Sequence, residues 1–310
     1  NQRYSLTRAL AYHYLMADGT PFQSQEGWQT MQYNQEFNGR DPRMAQTIAA
    51  PDYVAVGADA SSKYYPSCKD YERSGYRPIK YFSDDTHDGA TTSTTDYAIF
   101  RYGEVLLNYV EAKAELGQAD QSVIDETVNV IRARVGMPGL DVAKANAAPD
   151  SFLSSYYTDK HLEGADKGLI LEIRRERTVE LVNEGFRLWD MLRWHEGQQI
   201  CPASNTLGPG FIGCWFPGLG EYDMNNDGKP DLCIYSGSTP QTDCDNTLNV
   251  APGKENTLSE GTSGYLVQFK DQTYKWEEKD YLYPIPNKQM QIYPIDETTG
   301  KSVLTQNPGY

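Results

Sequence analysis

The stretch Leu171–Trp194, LEIRRERTVELVNEGFRLWDMLRW, constrains the fold of this chain more than any other. Arginine, glutamate and aspartate are dense in it, Trp189 and Trp194 fall near its end, and it holds a single glycine, Gly185, and no proline. Val179, Val182, Phe186 and Trp189 recur at steps of three and four, the repeat of one helix face, and predict one uninterrupted helix. Arg177 with Glu180, Glu184 with Arg187, and Asp190 with Arg193 stand three apart, close enough to pair along it. Exposed pairs of this kind contribute at most about 1 kcal/mol each. Charges interleaved with Phe and Trp point instead to a helix enclosed on several sides, its pairs fixing register by bidentate contact. They read as scaffold rather than as catalytic carboxylates.

The segment IRRERTVELVNEGFRLWDMLRW (173–194) resembles the signature helix of the SusD/RagB family of nutrient-binding outer-membrane lipoproteins. FRYGEVLLNYVEAKAELG (100–117) resembles the helix that precedes it in that family. YLYPIPNKQMQIYP (281–294), followed by LTQNPGY (304–310), resembles the family's ending. AYHYLMADGTPF (11–22) and GRDPRM (39–44) extend the likeness toward the start. The resemblance implies a mostly α fold of tetratricopeptide-like helical hairpins with extensive irregular loops. Family chains usually run longer, so this chain corresponds to the carboxy-terminal portion, with the amino-terminal part missing. The resemblance further implies a cell-surface lipoprotein of the outer membrane. Such a protein captures oligosaccharides and delivers them to a TonB-dependent transporter of the SusC type, binding and releasing without catalysis. No apolar export segment follows Asn1, so the family's signal peptide and lipidated cysteine would lie ahead of this chain.

Bulk properties narrow the alternatives. A chain of 310 residues can form one large or two ordinary domains with a substantial core. A net charge of −15 excludes the basic surface that nucleic acid demands, and adhesion to anionic lipid through basic patches. There is no apolar run long enough for a transmembrane helix. Three regions differ in composition and read together as one domain. Residues 1–97, rich in Gly, Pro, Tyr, Asp and Ser, predict long ordered loops that face ligand. Residues 98–196 are the helical scaffold: Tyr102, Leu106, Tyr109 and Leu116 form one stripe, and Ile124, Val128, Ile131 and Val135 a second, across a turn at 117–120. Residues 140–165 read as a loop inserted between helices. Residues 197–310 return to irregular structure, with YLYPIP as a short strand. A single hairpin cannot bury its face alone. Its further neighbours come either from outside this chain or from residues 1–97 acting as a cap.

Asp223-Met-Asn225-Asn-Asp227-Gly228-Lys229-Pro-Asp231 matches a calcium loop, with oxygen side chains at positions 1, 3, 5 and 9 and glycine at 6. Asp223, Asn225, Asp227, the Lys229 carbonyl and Asp231 are the predicted ligands of a structural calcium ion. Position 12 is Ile234, so the bidentate glutamate of an EF-hand is lacking. The competing reading is an Asx-rich surface turn. Of five cysteines, four fall between Cys201 and Cys244; the gaps suggest the disulfides Cys201–Cys214 and Cys233–Cys244, with Cys68 left over. Four cysteines allow three pairings, and a zinc site is the rival, although no CxxC spacing supports it.

No G-x-S-x-G, HExxH or P-loop pattern occurs, and His13, His87, His161 and His195 are scattered. With 43 acidic residues a glycosidase-like pair is conceivable, but none stands out. Binding has more support. Trp28, Tyr33, Tyr64, Tyr65, Tyr71 and Tyr76 are interleaved with Asn, Asp, Ser and Arg in the loop region. Flat rings stack on sugar faces while amides, carboxylates and guanidinium groups bond the hydroxyls. The same tyrosines could equally be packing residues of irregular structure. A peptide-binding member of the family would look similar, with fewer stacked rings and more backbone-pairing edges.

Overall fold

A computed structural model describes residues 5–59, 62–69, 72–82, 94–158, 162–197, 211–268, 270, 275–300 and 302–310. Among its described residues the first region is mostly loop, as its composition predicts, with three short helices: α1 (Arg8–Ala11), α2 (Tyr33–Glu36) and α3 (Pro42–Thr47). The Asp41-Pro42 pair starts α3. Pro42 sits in the first turn and the Asp41 carboxylate accepts the Arg43 backbone N–H at 2.9 Å.

The scaffold hairpin pairs α4 (Tyr102–Glu115) with α5 (Gln121–Glu126) and α6 (Val128–Arg134), which meet at a break at Thr127. Ile124, Val128 and Ile131 are buried as their spacing predicts. On α4 only Leu106 of the expected stripe is buried. Leu106, Leu107, Val110 and Ala114 face the core, whereas Tyr102, Tyr109 and Leu116 are exposed. Ile99, Phe100 and Val105 are exposed on or just before the same helix, leaving an apolar surface without cover among the described residues. Residues 140–165 are not simply a loop. They form α7 (Val142–Ala147) and α8 (Ser151–Tyr156), capped by the side chains of Asp141 and Asp150. Helices of six residues carry too little periodicity to be read as helices, so the caps are their main signal.

The Leu171–Trp194 segment is two helices, not one. Helix α9 (Lys167–Glu180) stops, the chain turns through Asn183 (φ 62) and Gly185 (φ 85), and α10 (Arg187–Arg193) sets off anew. Left-handed backbone at both residues cannot continue a right-handed helix. The stripe is therefore split, with Val179 buried and Trp189 exposed. Enclosure of the segment does hold for α9, whose residues Ile173–Glu180 are all buried. Helices α3, α4, α7 and α8 pack around it. Of the three local ion pairs, Asp190–Arg193 forms at 2.6 Å. Arg177 instead reaches Asp190 at 2.8 Å and Glu111 at 3.2 Å. Glu180 receives Arg101 at 2.7 Å and Arg134 at 2.9 Å, and Glu184 receives Arg101 at 2.6 Å. A charge on an enclosed helix finds partners on its neighbours rather than along its own axis.

Residues 211–268 are more regular than composition suggests. Strands β1 (Phe211–Phe216), β5 (Asn256–Leu258) and β6 (Gly264–Gln268) make an antiparallel sheet in the order β1-β6-β5. Strands β2 (Gly220–Tyr222), β3 (Leu232–Tyr235) and β4 (Asn246–Asn249) make a second, in which β3 and β4 run parallel. YLYPIP belongs to neither sheet, and α11 (Asn287–Ile292) follows it. One core cluster joins Tyr14, Tyr33, Met44 and Tyr76 to Cys214, Leu232 and Leu266, so the first loops are packed on the sheets. A second joins Tyr12 and Phe22 to α8 and Trp194, and a third lies inside the hairpin and α9.

Candidate functional site

The loop face combines Trp28 with a polar brace. Trp28 opens a single 3-10 turn, Trp28–Thr30, and stays half-buried, its ring edge-on to Tyr12 at 5.0 Å. Glu26, Gln29 and Thr30 around it are exposed. A few residues on, the Asn34 amide donates to the Asp223 carbonyl at 3.0 Å and to Asn226 Oδ1 at 2.9 Å. The segment carrying Trp28 is thus fastened to the Asp223–Asp231 turn, almost two hundred residues further along the chain. Sequence spacing gave no sign of this contact, because Asn34 and Asn226 look like ordinary loop residues.

The other predicted rings divide. Tyr64 and Tyr65 are half-buried, donating to Glu72 Oε2 at 2.6 Å and to Asp245 Oδ2 at 2.7 Å. Tyr33 and Tyr76 are enclosed in the core. The Tyr33 hydroxyl donates to the Ala49 carbonyl and that of Tyr76 to Glu36 Oε2 at 2.5 Å. Burial pushes both phenols well up. Neither can offer its face to a ligand, so for these two the packing reading replaces the binding one. Tyr71 lies outside the described residues.

In the Asp223–Asp231 turn the side chains accept the turn's own amides. Asp223 takes the N–H of Asp227 at 3.2 Å and of Gly228 at 2.8 Å. Asn225 Oδ1 takes the Asp227 N–H at 3.0 Å, Asp227 that of Lys229 at 2.8 Å, and Asp231 that of Met224 at 2.7 Å. No group of three His, Cys, Asp or Glu side chains among the described residues is drawn together as a ready metal cage. The donor set still suits a hard cation, since a carboxylate that accepts one amide retains further lone pairs. Burial pushes the Asp231 carboxyl up, and the nearby Asp227 and Asp223 charges add to this. A bound cation would reverse the sign of that local field.

Cys68, Cys214, Cys233 and Cys244 are not bridged to one another, and Cys201 lies outside the described residues, as therefore does the Cys201–Cys214 pairing. The sulfurs of Cys214 and of Cys68, the residue left over by spacing, both border the space beside Gly75.

A cleft of about 390 Å³ opens between α1 and the turn from α9 to α10, lined by Leu10, His13, Thr178, Asn183 and Arg187 among others. Arg187, expected to pair with Glu184, instead donates to the hydroxyls of Thr178 at 2.9 Å, Tyr157 at 3.2 Å and Tyr156 at 3.4 Å. The buried carboxylates of the scaffold, Glu111, Glu176, Glu180, Glu184 and Asp190, each meet a guanidinium group. Carboxylates held in this way are partners of buried ion pairs that join the helices of the scaffold.

Helices gathered around a charged central helix, with long loops and small sheets alongside, define a SusD-like fold. A SusD-like carbohydrate-binding protein of Bacteroides fragilis superposes with a TM-score of 0.60 at 22% identity, covering 93% of this chain and 50% of that one. A second SusD-like protein of Bacteroides fragilis gives 0.57, also at 22% identity, over 99% of this chain and 47% of its own. In sequence, the SusD-like protein P38 of Formosa agariphila is 30% identical over 113 residues, 36% of this chain and 20% of that protein. The chain thus spans about half the length of these solved relatives and a fifth of the curated one. The profile of the SusD family matches residues 1–310, and the chain belongs to that family.

Proposed function

We propose that this chain is part of a cell-surface glycan-binding protein that captures oligosaccharides and hands them to a TonB-dependent transporter of the SusC type. The observation that carries this reading is family membership over the whole chain, and a structural relative is described as carbohydrate-binding. The loop face supports it further: Trp28 offers a partly free ring among exposed amide, carboxylate and hydroxyl groups. Capture and release require no covalent step, and the buried acids serve as ion-pair partners. No helix among the described residues is long and apolar enough to cross a membrane. A superhelix of tetratricopeptide-like hairpins has one support, the uncovered apolar surface around Phe100, Tyr102 and Val105, which matches the surface that stacked hairpins bury. Calcium is proposed as a structural ion on Asp223, Asn225, Asp227, the Lys229 carbonyl and Asp231. There it would stiffen the turn that holds Asn34 and, through it, the Trp28 segment.

Electrophoresis through gels cast with different soluble polysaccharides tests this reading. Retardation by at least one glycan supports it. Free migration in every gel, with capture of peptides instead, would favour a peptide importer.

A further inference from the structure

We propose that Cys68 and Cys214 are partners in a disulfide that ties the backbone at Cys68 to β1. Both residues are fully enclosed, at 0% exposure, and belong to the same buried core cluster. The main chain around them is held by independent contacts. The Cys214 N–H donates to the Ser74 carbonyl at 2.8 Å, Asn256 Nδ2 to the Cys68 carbonyl at 2.8 Å, and Ser74 Oγ to the Leu6 carbonyl at 2.5 Å. Gly75 marks how close this backbone lies to the strand. A Cβ on it would stand 2.3 Å from Cys214 Sγ and 3.4 Å from Cys68 Sγ, so both sulfurs border one spot. Cys68 also has φ 53, a conformation that glycine or asparagine adopts with less strain. Its side chain is therefore presented to Cys214 from a position where backbone preference alone would not select cysteine.

The chemistry needs a disulfide-bearing thiol oxidant. One cysteine thiolate attacks the oxidant's disulfide, forming a mixed disulfide and releasing one oxidant thiol. The second cysteine then displaces the other. The chain gives up two protons and two electrons, and the oxidant's disulfide becomes two thiols. The neighbouring Cys214 thiol and burial push the Cys68 thiol up, so exchange belongs to folding rather than to the closed state. Formation of the bond in the cell rests on the proposed exported location; the pairing itself rests on the fold alone.

The test takes reduced, folded protein into a glutathione redox buffer, then alkylates and digests it without reduction. Trypsin leaves Cys68 in peptide 64–69 and places the other four cysteines together in 194–254, because Lys229 precedes Pro230. Peptide 64–69 is expected only in linkage to 194–254, released by reductant. The linkage is expected to be lost in Cys214→Ser and kept in Cys201→Ser. Chymotryptic cleavage after Phe211 and Trp215 isolates Cys214 and gives the same reading without a variant. The oxidised protein should melt higher than the reduced one by on the order of 5 °C. Alkylated Cys68 in the oxidised digest, or linkage to Cys201, would overturn the pairing. Reduced thiols in protein from native cells, with the bond forming readily in the buffer, would count against the exported location and leave the pairing standing.

Discussion

Arg43 and Glu176 meet at 2.9 Å, both almost wholly enclosed, and join α3 of the first loop region to α9 of the scaffold. Arg132 binds the other oxygen of Glu176 at 2.6 Å, while Arg43 also holds Asp41 at 2.6 Å. Removing one partner of such a network leaves a buried charge uncompensated. Arg43→Ala is therefore expected to destabilise the protein by about 3–5 kcal/mol, measured by denaturant unfolding. A loss below about 1 kcal/mol would show that the loops do not depend on this pair.

Acid stability should carry the mark of Glu176. Burial alone would raise its carboxyl, but Arg43 and Arg132 together hold it down at about 2. A depressed pKa contributes stability that is fully present above the unfolded value of about 4.5 and is lost as pH falls through about 2. The contribution is about 3 kcal/mol. Unfolding free energy measured between pH 5 and pH 2 should fall less steeply in Glu176→Gln, which is already destabilised at neutral pH. Parallel curves for the two proteins would contradict this assignment.

Much of the architecture was legible in the sequence, and the failures have physical causes. The αα-hairpin and the enclosed, charge-paired helix follow from local chemistry or side-chain periodicity. The end of α9 did not, because Asn183 and Gly185 are each compatible with a helix interior until the backbone turns left-handed. Tyr33 and Tyr76 misled for a different reason. A tyrosine in a loop looks alike whether its hydroxyl reaches water or a buried carbonyl, and only the long-range fold decides. Contacts such as Asn34–Asn226 and Cys68–Cys214 link distant segments, so spacing along the chain carries no trace of them.

The turn between α9 and α10 gives a direct check. Gly185 has φ 85 and nothing within 4 Å of where a Cβ would sit, so backbone conformation is the dominant penalty there. Gly185→Ala should cost about 1 kcal/mol in thermal or denaturant unfolding. A stabilised variant would show that the segment prefers the continuous helix.

Calcium should raise the melting temperature. At a concentration 100 times the dissociation constant the stabilisation is about 2.7 kcal/mol. Asp223→Ala and Asp227→Ala should abolish the response. No shift in the unaltered protein at millimolar calcium would leave the segment as an Asx-rich turn.

Trp28 and Tyr33 separate binding from packing. Trp28→Ala should weaken glycan binding about tenfold or more, as loss of an aromatic anchor does. Tyr33→Phe removes one buried hydrogen bond, should cost about 1 kcal/mol of stability, and should leave affinity unchanged. Equal affinity losses in the two variants would place the site elsewhere.

The most direct test of glycan capture without turnover is a calorimetric titration with a panel of oligosaccharides, followed by chromatography of the recovered ligand. Saturable heat with at least one oligosaccharide, returned intact after prolonged incubation, is the predicted result. Shortened products would reveal a hydrolase, and absence of heat across the panel, with binding of peptides, would contradict glycan capture.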